Sequence, residues 1–218
     1  MHIKKSTMPT TWPIPRKGKR KRYVAVPSHA TSKGISLLFI LRDVLKVTKT
    51  RKEARFIVLN GDVKVNNKVR HDENFPVQVF DVVDLEKAKE HYRLEIVNQK
   101  FTLKKISAKE AETKIVKISG KKVLGENKIQ MNLDDGQNVI TKEKFSLGDS
   151  AVMNTKTEKI EKILPLKVGA SIEVITGKHA GEKGKLIGFV DLIRGRNYSI
   201  KLNKREVSLP FKTLLVIG

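Results

Sequence analysis

The spacing of apolar residues in the first third of the chain predicts two helices. Over residues 36–47, apolar side chains recur at intervals of three and four, the period of a helix with one buried face: Leu37, Leu38, Leu41, Val44 and Leu45. A second helix is predicted to begin at Thr50, because Thr50-Arg51-Lys52-Glu53 has the form of a capping box. Asn60-Gly61 is predicted to end it, since glycine readily adopts the left-handed conformation that follows a helix end.

Beyond residue 61 the period of the apolar residues changes from that of helices to that of strands. Val63 and Val65 predict a strand, and Asn66-Asn67 predicts a turn before a returning strand. Valines between residues 77 and 83 predict one strand region. A second capping box, Ser107-Ala108-Lys109-Glu110, predicts a helix that ends near Thr113. Further strands are predicted over 92–96, 101–103, 115–118 and 129–133, with a hairpin turn at 134–136. Many short strands are typical of a compact barrel or sandwich.

The two ends of the chain differ from this pattern. From about residue 167 the sequence predicts a strand, a loop punctuated by Gly177, Gly181 and Gly184, and a second strand. Residues 1–36 are rich in proline and charge, so we expect an extension without a core that is disordered alone and ordered on a partner. Trp12 in this extension either stacks on a nucleic-acid base or docks on the body of the protein.

The basic residues of the chain indicate a class of function. Lysine and arginine outnumber the acids 45 to 23, which leaves a formal net charge of +22. The densest run is Arg16, Lys17, Lys19, Arg20, Lys21 and Arg22, interrupted by Gly18. Lysine and arginine release the counterions condensed on phosphates, so this charge indicates a nucleic-acid partner. The alternative, a solvated charge run without function, fits an isolated segment but does not explain an excess along the whole chain.

Several classes of function are excluded by what the sequence lacks. Cysteine is absent, which excludes disulfides and thiolate metal sites. No apolar run has the length of a membrane span, and no secretory signal is present, so we expect a soluble intracellular protein without a membrane partner. Gly184-Lys185 lacks the preceding glycine and following hydroxyl of a nucleotide-binding loop. We therefore expect no catalytic residue, no metal, no cofactor and no small-molecule substrate.

The predicted start of the second helix is a candidate phosphate site. Arg51 and Lys52 occupy its first turn, where acids usually suit the helix dipole better. Backbone N–H groups at a helix start, together with two cations, form a cradle for phosphate. The alternative is that long basic side chains are merely tolerated on an exposed helix start, and spacing alone leaves both readings open.

Two segments of the chain resemble known RNA-binding modules. Residues 37–85 are similar to the α-L-type RNA-binding domain of ribosomal proteins, through Leu41-Arg42-Asp43, Thr50-Arg51-Lys52-Glu53-Ala54, Asn60-Gly61-Asp62-Val63 and Val65-Asn66-Asn67-Lys68-Val69. Residues 169–188 resemble a KOW motif, the glycine-centred loop of an SH3-like barrel. The order of these segments, with Trp12-Pro13-Ile14-Pro15-Arg16-Lys17-Gly18-Lys19 before them and Val216-Ile217-Gly218 at the end, resembles the archaeal and eukaryotic family of small-subunit ribosomal protein four.

The resemblance implies an architecture for the whole chain. The fold class is α+β and mostly β. A basic extended tail over 1–36 precedes an α-L-type RNA-binding domain over 37–90. A β-rich central domain follows over 91–166, and a C-terminal SH3-like KOW barrel spans 167–218.

The resemblance also implies a function. We expect a structural constituent of the small subunit of the cytoplasmic ribosome that binds ribosomal RNA beside neighbouring ribosomal proteins and has no catalytic activity. The KOW loop faces either RNA or a protein. The expected RNA contacts are Arg16, Lys17, Lys19, Arg20, Lys21, Arg22, Arg42, Lys49, Thr50, Arg51, Lys52, Lys64, Lys68, Arg70, Lys178, Lys183 and Lys185.

A second reading is an accessory RNA-binding factor of transcription or RNA modification that carries the same modules. A modifying enzyme needs a catalytic domain with an acid or nucleophile in a pocket, and the middle segment shows no such set. An elongation factor needs an acidic or hydrophobic polymerase-binding domain ahead of the KOW motif, where this chain has a basic domain.

Overall fold

The computed structural model describes residues 2–17, 22–125, 128–192, 195–202 and 205–218. The fold is mostly β with few helices, and the chain divides into two compact units, Met1–Lys114 and Ile115–Gly218. The four-part division made from the sequence stays a prediction.

The helices lie in the first unit, apart from one short turn. The α-helices are α1 Leu37–Phe39, α2 Arg51–Leu59 and α3 Ala108–Ala111; a π-helical turn spans Ile40–Val44, and 3₁₀ turns span Lys5–Thr7 and Phe211–Thr213. Both capping boxes are confirmed, at Thr50 and at Ser107. Gly61 is also confirmed in the left-handed region after α2, with φ 81°.

The predicted helix over 36–47 is shorter than the apolar spacing suggests. The Leu45 N–H donates to the Ile40 carbonyl at 2.9 Å, a bond one residue wider than that of an α-helix. Lys46 then adopts φ 56°, which a continuing helix does not allow. Arg42 and Asp43 both lie within this wider turn.

In the described residues of the first unit, nine strands build three sheets. They are β1 His2–Lys4, β2 Tyr23–Ala25, β3 Gly34–Ser36, β4 Val63–Val65, β5 Lys68–Val69, β6 Pro76–Gln78, β7 Val82–Leu85, β8 Glu90–Val97 and β9 Lys100–Ile106. The orders are β1-β2, β3-β6 and β5-β4-β7-β8-β9. The predicted hairpin of β4 and β5 is confirmed, with Val65 opposite Lys68.

The expectation of one strand region over 77–83 is wrong. The structure has two strands, β6 and β7, which belong to different sheets. Between them, the Asp81 carboxylate accepts the Gln78 N–H at 2.7 Å, and Phe80 adopts φ 67°. The spacing of the valines does not predict this turn, because the turn is formed by Gln78, Phe80 and Asp81, which are polar or aromatic.

The N-terminal segment differs most from expectation, because its described residues pack within the first unit. Met8 and Trp12 are each 1% exposed. The Trp12 Nε1–H donates to the Gly34 carbonyl at 3.1 Å, and the Phe101 N–H donates to the Thr11 carbonyl at 2.9 Å. Strand β1 pairs with β2 through the register Ile3 opposite Val24. The expectation of a segment without a core is therefore wrong for residues 2–17 and 22–36, and Trp12 takes the docked alternative.

The described part of the second unit contains two five-stranded sheets. Its strands are β10 Thr113–Gly125, which begins in the first unit, β11 Lys128–Leu133, β12 Asn138–Thr141, β13 Ser150–Asn154, β14 Ile160–Leu164, β15 Ser171–Val174, β16 Lys183–Leu192, β17 Gly195–Leu202, β18 Arg205–Pro210 and β19 Leu214–Val216. The orders are β12-β11-β10-β13-β14 and β18-β17-β16-β15-β19.

Each of these two sheets has its own apolar cluster. The first cluster contains Val116, Ile118, Met131, Leu133, Phe145, Ala151 and Met153. The second contains Ile172, Val174, Leu186, Ile200, Leu202 and Leu214. The predicted turn at 134–136 is confirmed: it joins β11 to β12, and the Gly136 N–H donates to the Leu133 carbonyl at 3.2 Å.

Candidate nucleic-acid interface

The start of α2 is held by a reciprocal pair of side chains. The Glu53 N–H donates to Thr50 Oγ1 at 3.3 Å, while Glu53 Oε2 accepts the N–H groups of Lys49 at 2.8 Å and Thr50 at 3.4 Å. The backbone bond from Lys49 and the contact with Thr50 lower the pKa of Glu53. The Glu53 carboxylate therefore holds two backbone donors just ahead of the helix, and the Thr50 hydroxyl oxygen holds the Glu53 N–H.

Arg51 is fixed by the first unit itself. Its Nε and Nη2 donate to Glu73 Oε1 at 3.0 and 2.5 Å, and this hydrogen bond raises the pKa of Arg51. The Glu73 side chain is only 9% exposed, whereas that of Arg51 is 64% exposed. One edge of the Arg51 guanidinium thus binds Glu73. Its remaining N–H donors belong to a mostly exposed side chain, so a phosphate oxygen can reach them.

Arg42 is held in a similar way on the π-helical turn. Its Nε donates to Asp43 Oδ2 at 2.9 Å, and its Nη2 bonds to the same oxygen. Lys49 and Lys52, which flank the α2 cap, are exposed. The predicted residues around α2 therefore include two fixed guanidinium groups and two exposed lysines.

A cleft of about 560 Å³ brings Arg42 and Arg51 together with the N-terminal segment. His2 and Tyr23 come from the paired strands β1 and β2, and Lys5 comes from the 3₁₀ turn after β1. The full lining is His2, Lys5, Ile14, Tyr23, Val24, Ala25, Leu38, Phe39, Arg42, Asp43, Arg51 and Asn74. Three cations and one carboxylate thus surround an apolar and aromatic floor.

Sequence reasoning did not find Lys5, His2 and Tyr23. They become neighbours of Arg42 and Arg51 because the N-terminal segment packs within the first unit, a tertiary event. No spacing within the N-terminal segment signals it. Buried Met8 and Trp12 were the available signal, since two large apolar residues in a proline-rich segment need a place to pack.

The β4–β5 hairpin uses two of its predicted basic residues in internal contacts. Lys64 pairs with Glu86, and the Arg70 guanidinium lies 4.3 Å from the ring centroid of Phe75. Lys68 is exposed on β5. The contacts with Glu86 and Phe75 therefore fix the positions of the Lys64 and Arg70 side chains.

The described part of the basic run near residue 16 lies at the surface. Arg16 Nη2 donates to the Met8 carbonyl at 2.5 Å, and Lys17 is exposed. The Arg22 guanidinium lies 5.9 Å from the Tyr23 ring centroid. Four residues of the predicted run lie outside the described residues: Gly18, Lys19, Arg20 and Lys21.

The three predicted lysines near the C-terminal loop belong to the second unit. Lys183 Nζ lies 3.6 Å from Glu173 Oε2, and Lys178 and Lys185 are exposed. Gly184 is needed for close packing rather than for its φ. A Cβ at this position would lie too close to the Lys201 carbonyl oxygen, and 2.9 Å from Leu202 Cδ2.

Two negative findings concern the described residues alone. Within the described ranges, no three or more His, Cys, Asp or Glu side chains are grouped so that they could hold a metal ion. In the same part of the chain, no helix combines the length and apolar character required to span a bilayer.

Two family models match parts of this chain. The sequence model of the S4 domain matches residues 41–83, which include α2 and the β4–β5 hairpin, so the chain is an S4-domain protein. The model of the ribosomal family S4e matches residues 88–160. Relatives named small ribosomal subunit protein eS4 are each 34% identical to this chain: that of Pyrobaculum aerophilum covers 94% of the chain and 90% of its own length, and that of Caldivirga maquilingensis covers 100% and 95%. The chain belongs to the ribosomal protein family S4e.

A solved structure gives the same result for the fold. The crystal structure of the 30S ribosomal protein S4e from Thermoplasma acidophilum has a TM-score of 0.73 and 28% sequence identity to this chain. The match covers 85% of this chain and 95% of that one.

Proposed function

We propose that this protein is a structural constituent of the small ribosomal subunit and that it binds ribosomal RNA. The observation that carries the proposal is the likeness to relatives named small ribosomal subunit protein eS4, at 34% identity over 94% of the chain. A net charge of +22 supports it, because cations that contact RNA phosphates release condensed counterions. The partners are small-subunit ribosomal RNA and neighbouring ribosomal proteins, and the location is the cytoplasmic ribosome. The role is non-catalytic.

The proposal extends to the modules of the chain. A basic N-terminal extension over 1–36 precedes an α-L-type RNA-binding domain over 37–90, a β-rich domain over 91–166 and a KOW-type SH3-like barrel over 167–218. The S4-domain match over 41–83 supports the second of these. The loop between β15 and β16, within a five-stranded sheet, is consistent with the last. That loop contacts either RNA or a neighbouring protein.

RNA contacts are proposed at the residues expected from the sequence. The exposed positions of Lys17, Lys49, Lys52, Lys68 and Lys185 support this assignment. Structured RNA is bound mostly through its backbone, its shape and its 2′-hydroxyl groups, so these side chains give affinity with little sequence preference. The proposed set is Arg16, Lys17, Lys19, Arg20, Lys21, Arg22, Arg42, Lys49, Thr50, Arg51, Lys52, Lys64, Lys68, Arg70, Lys178, Lys183 and Lys185.

Sedimentation of a cell lysate tests the proposal. The protein is expected with the small ribosomal subunit in a sucrose gradient, and it is expected to stay there in moderate salt. Recovery only at the top of the gradient, with free proteins, contradicts the proposal.

A pair of matched variants makes the test specific. Lys49→Glu with Lys52→Glu should weaken association, because two proposed phosphate contacts become repulsive. Lys89→Glu with Lys109→Glu is the control, since both lysines are exposed and neither is a proposed contact. Equal behaviour of the two pairs argues against the proposed surface around α2.

A further inference from the structure

The cleft lined by the N-terminal hairpin and the helical segments has the dimensions of a small-molecule site. Its volume of about 560 Å³ lies within the range of about 300–1,000 Å³ typical of ligand pockets. All of its lining residues belong to the first compact unit. The cleft therefore accommodates a ligand far smaller than an RNA helix.

The lining of the cleft contains both apolar and cationic side chains. Leu38, Phe39 and Val24 are buried and form an apolar floor. Lys5 and Arg51 supply positive charge. Such a combination fits a ligand with a flat apolar part and an anionic part, which is the description of a nucleotide.

Arg51 is well suited to hold a phosphate because it is positioned before any ligand arrives. Glu73 binds its Nε and Nη2 through one carboxylate oxygen, so the orientation of the guanidinium plane is set by the fold. Arginine has five N–H donors, and two of them make these bonds. A phosphate that binds the remaining donors orders little additional side chain.

Tyr23 supplies an aromatic surface beside these cations. Its side chain is exposed for an apolar ring, at 48%, and its ring stands 4.9 Å from that of His2 at 79°. It directly follows the basic run at 16–22.

We propose that this cleft binds one unpaired nucleotide that is extruded from an RNA helix. The base packs on Tyr23 and the apolar floor, and its phosphate lies at Arg51 and Lys5. This inference rests on the proposed function, because it deepens RNA binding by the same unit. It assigns the first unit a preference for bulged over continuous helices.

Binding of three RNA hairpins to the full-length protein tests the inference. The hairpins are identical except that one is fully paired, one carries a single-nucleotide bulge and one carries an abasic bulge. Stacking of a base on an aromatic side chain contributes to the free energy of binding. The bulged hairpin should therefore bind at least about fivefold tighter than the other two. A 2-aminopurine base at the bulge should lose fluorescence on binding, because stacking quenches it.

Matched variants locate the preference. Tyr23→Leu should remove it and leave the affinity for the paired hairpin unchanged. Tyr92→Leu is the control, because Tyr92 lies on β8 and does not line the cleft. The 2-aminopurine fluorescence of the bulged hairpin bound to the wild-type protein tests the same stacking without any substitution.

The outcomes separate this inference from the proposed function. Equal affinity for all three hairpins overturns the unpaired-nucleotide site and leaves RNA binding intact. A preference for both bulges over the paired hairpin also overturns it, because the base is then not required. No binding to any hairpin overturns both proposals. Displacement of the bulged hairpin by micromolar adenosine monophosphate assigns the cleft to a free nucleotide instead.

Discussion

Arg51 contributes to the stability of the fold as well as to the proposed RNA surface. Its neighbour Lys52 is expected to contribute to the RNA surface alone. Arg51→Ala leaves the buried Glu73 carboxylate without the two N–H donors that Arg51 gives to its Oε1. We expect a loss of about 1 kcal/mol in the free energy of unfolding, at the low end of charged hydrogen bonds because Arg51 is mostly exposed. Urea unfolding gives this value, and RNA binding should weaken in the same variant.

Lys52→Ala is the matched control for that prediction. Lys52 is exposed on the same helical turn, so its substitution should weaken RNA binding and leave the urea midpoint unchanged. Should Arg51→Ala match Lys52→Ala in stability, the Glu73 contact has no role in the fold. Should neither variant change RNA affinity, the α2 start carries only tolerated surface charge.

Glu53 makes the stability of the α2 start depend on pH. The Lys49 N–H and the Thr50 side chain lower its pKa in the folded protein. A lowered folded-state pKa means that its stabilisation is complete above the unfolded pKa of about 4.3 and disappears as pH falls through the folded-state value.

The measurement is thermal unfolding of the wild type and Glu53→Gln between pH 3 and pH 7. The wild type should be more stable at neutral pH, and the difference should shrink below a pH of about 4.3 as the carboxylate becomes protonated. Lys52→Gln, on the same exposed turn, should show no such convergence. A difference that is constant over the whole range contradicts the role of the carboxylate.

At the scale of elements, Trp12 anchors the N-terminal segment. Trp12→Ala should cost about 3–5 kcal/mol, because it removes a side chain that is 1% exposed together with its bond to the Gly34 carbonyl. Limited proteolysis should then cut residues 2–17 before the body of the first unit. Ile14→Ala, a partly buried neighbour, is the milder control. Equal protease resistance of the wild type and Trp12→Ala contradicts the anchoring role.

The tight approach of β16 and β17 rests on Gly184. Gly184→Ala places a methyl group against the Lys201 carbonyl and Leu202, and we expect a cost of about 1–3 kcal/mol from this overpacking. Gly188→Ala, on the same strand, is the control because a Cβ there has no atom within 4 Å. Thermal unfolding measures both variants, and equal effects show that packing at Gly184 is not the cause.

The elements that the sequence predicted well are those encoded by neighbouring residues. Thr50 and Glu53 specify the start of α2, and Asn66-Asn67 specifies a hairpin turn, so three or four residues carry the whole signal. The N-terminal docking and the wider helical turn at Ile40–Val44 depend on packing between distant segments. Arg42 and Arg51 were predicted one by one, whereas the cleft that joins them to Lys5 was not, because it arises only when the β1–β2 hairpin lies beside them.

At the scale of the whole molecule, charge should set the strength of RNA binding. Each phosphate contact contributes about 0.7–0.9 to the slope of log affinity against log salt concentration. Replacing Arg20, Lys21 and Arg22 with alanine should flatten that slope by about two units if they touch phosphate. Replacing Lys104, Lys109 and Lys122, all exposed and none a proposed contact, should leave the slope closer to that of the wild type. An unchanged slope in the first variant contradicts a role for the run.

The pairing of β19 with β15 has a consequence for the order of events during protein synthesis. Ile172 lies opposite Val216, and β16, β17 and β18 are made between them. Those three strands form hairpins with their sequence neighbours and have their partners as soon as they leave the exit tunnel. Strand β15 has one edge uncovered until β19 follows, which at about 5–20 residues per second is an interval of seconds. During that interval a nascent chain exposes a strand edge to its neighbours, and a chaperone or early binding to a partner would protect this edge.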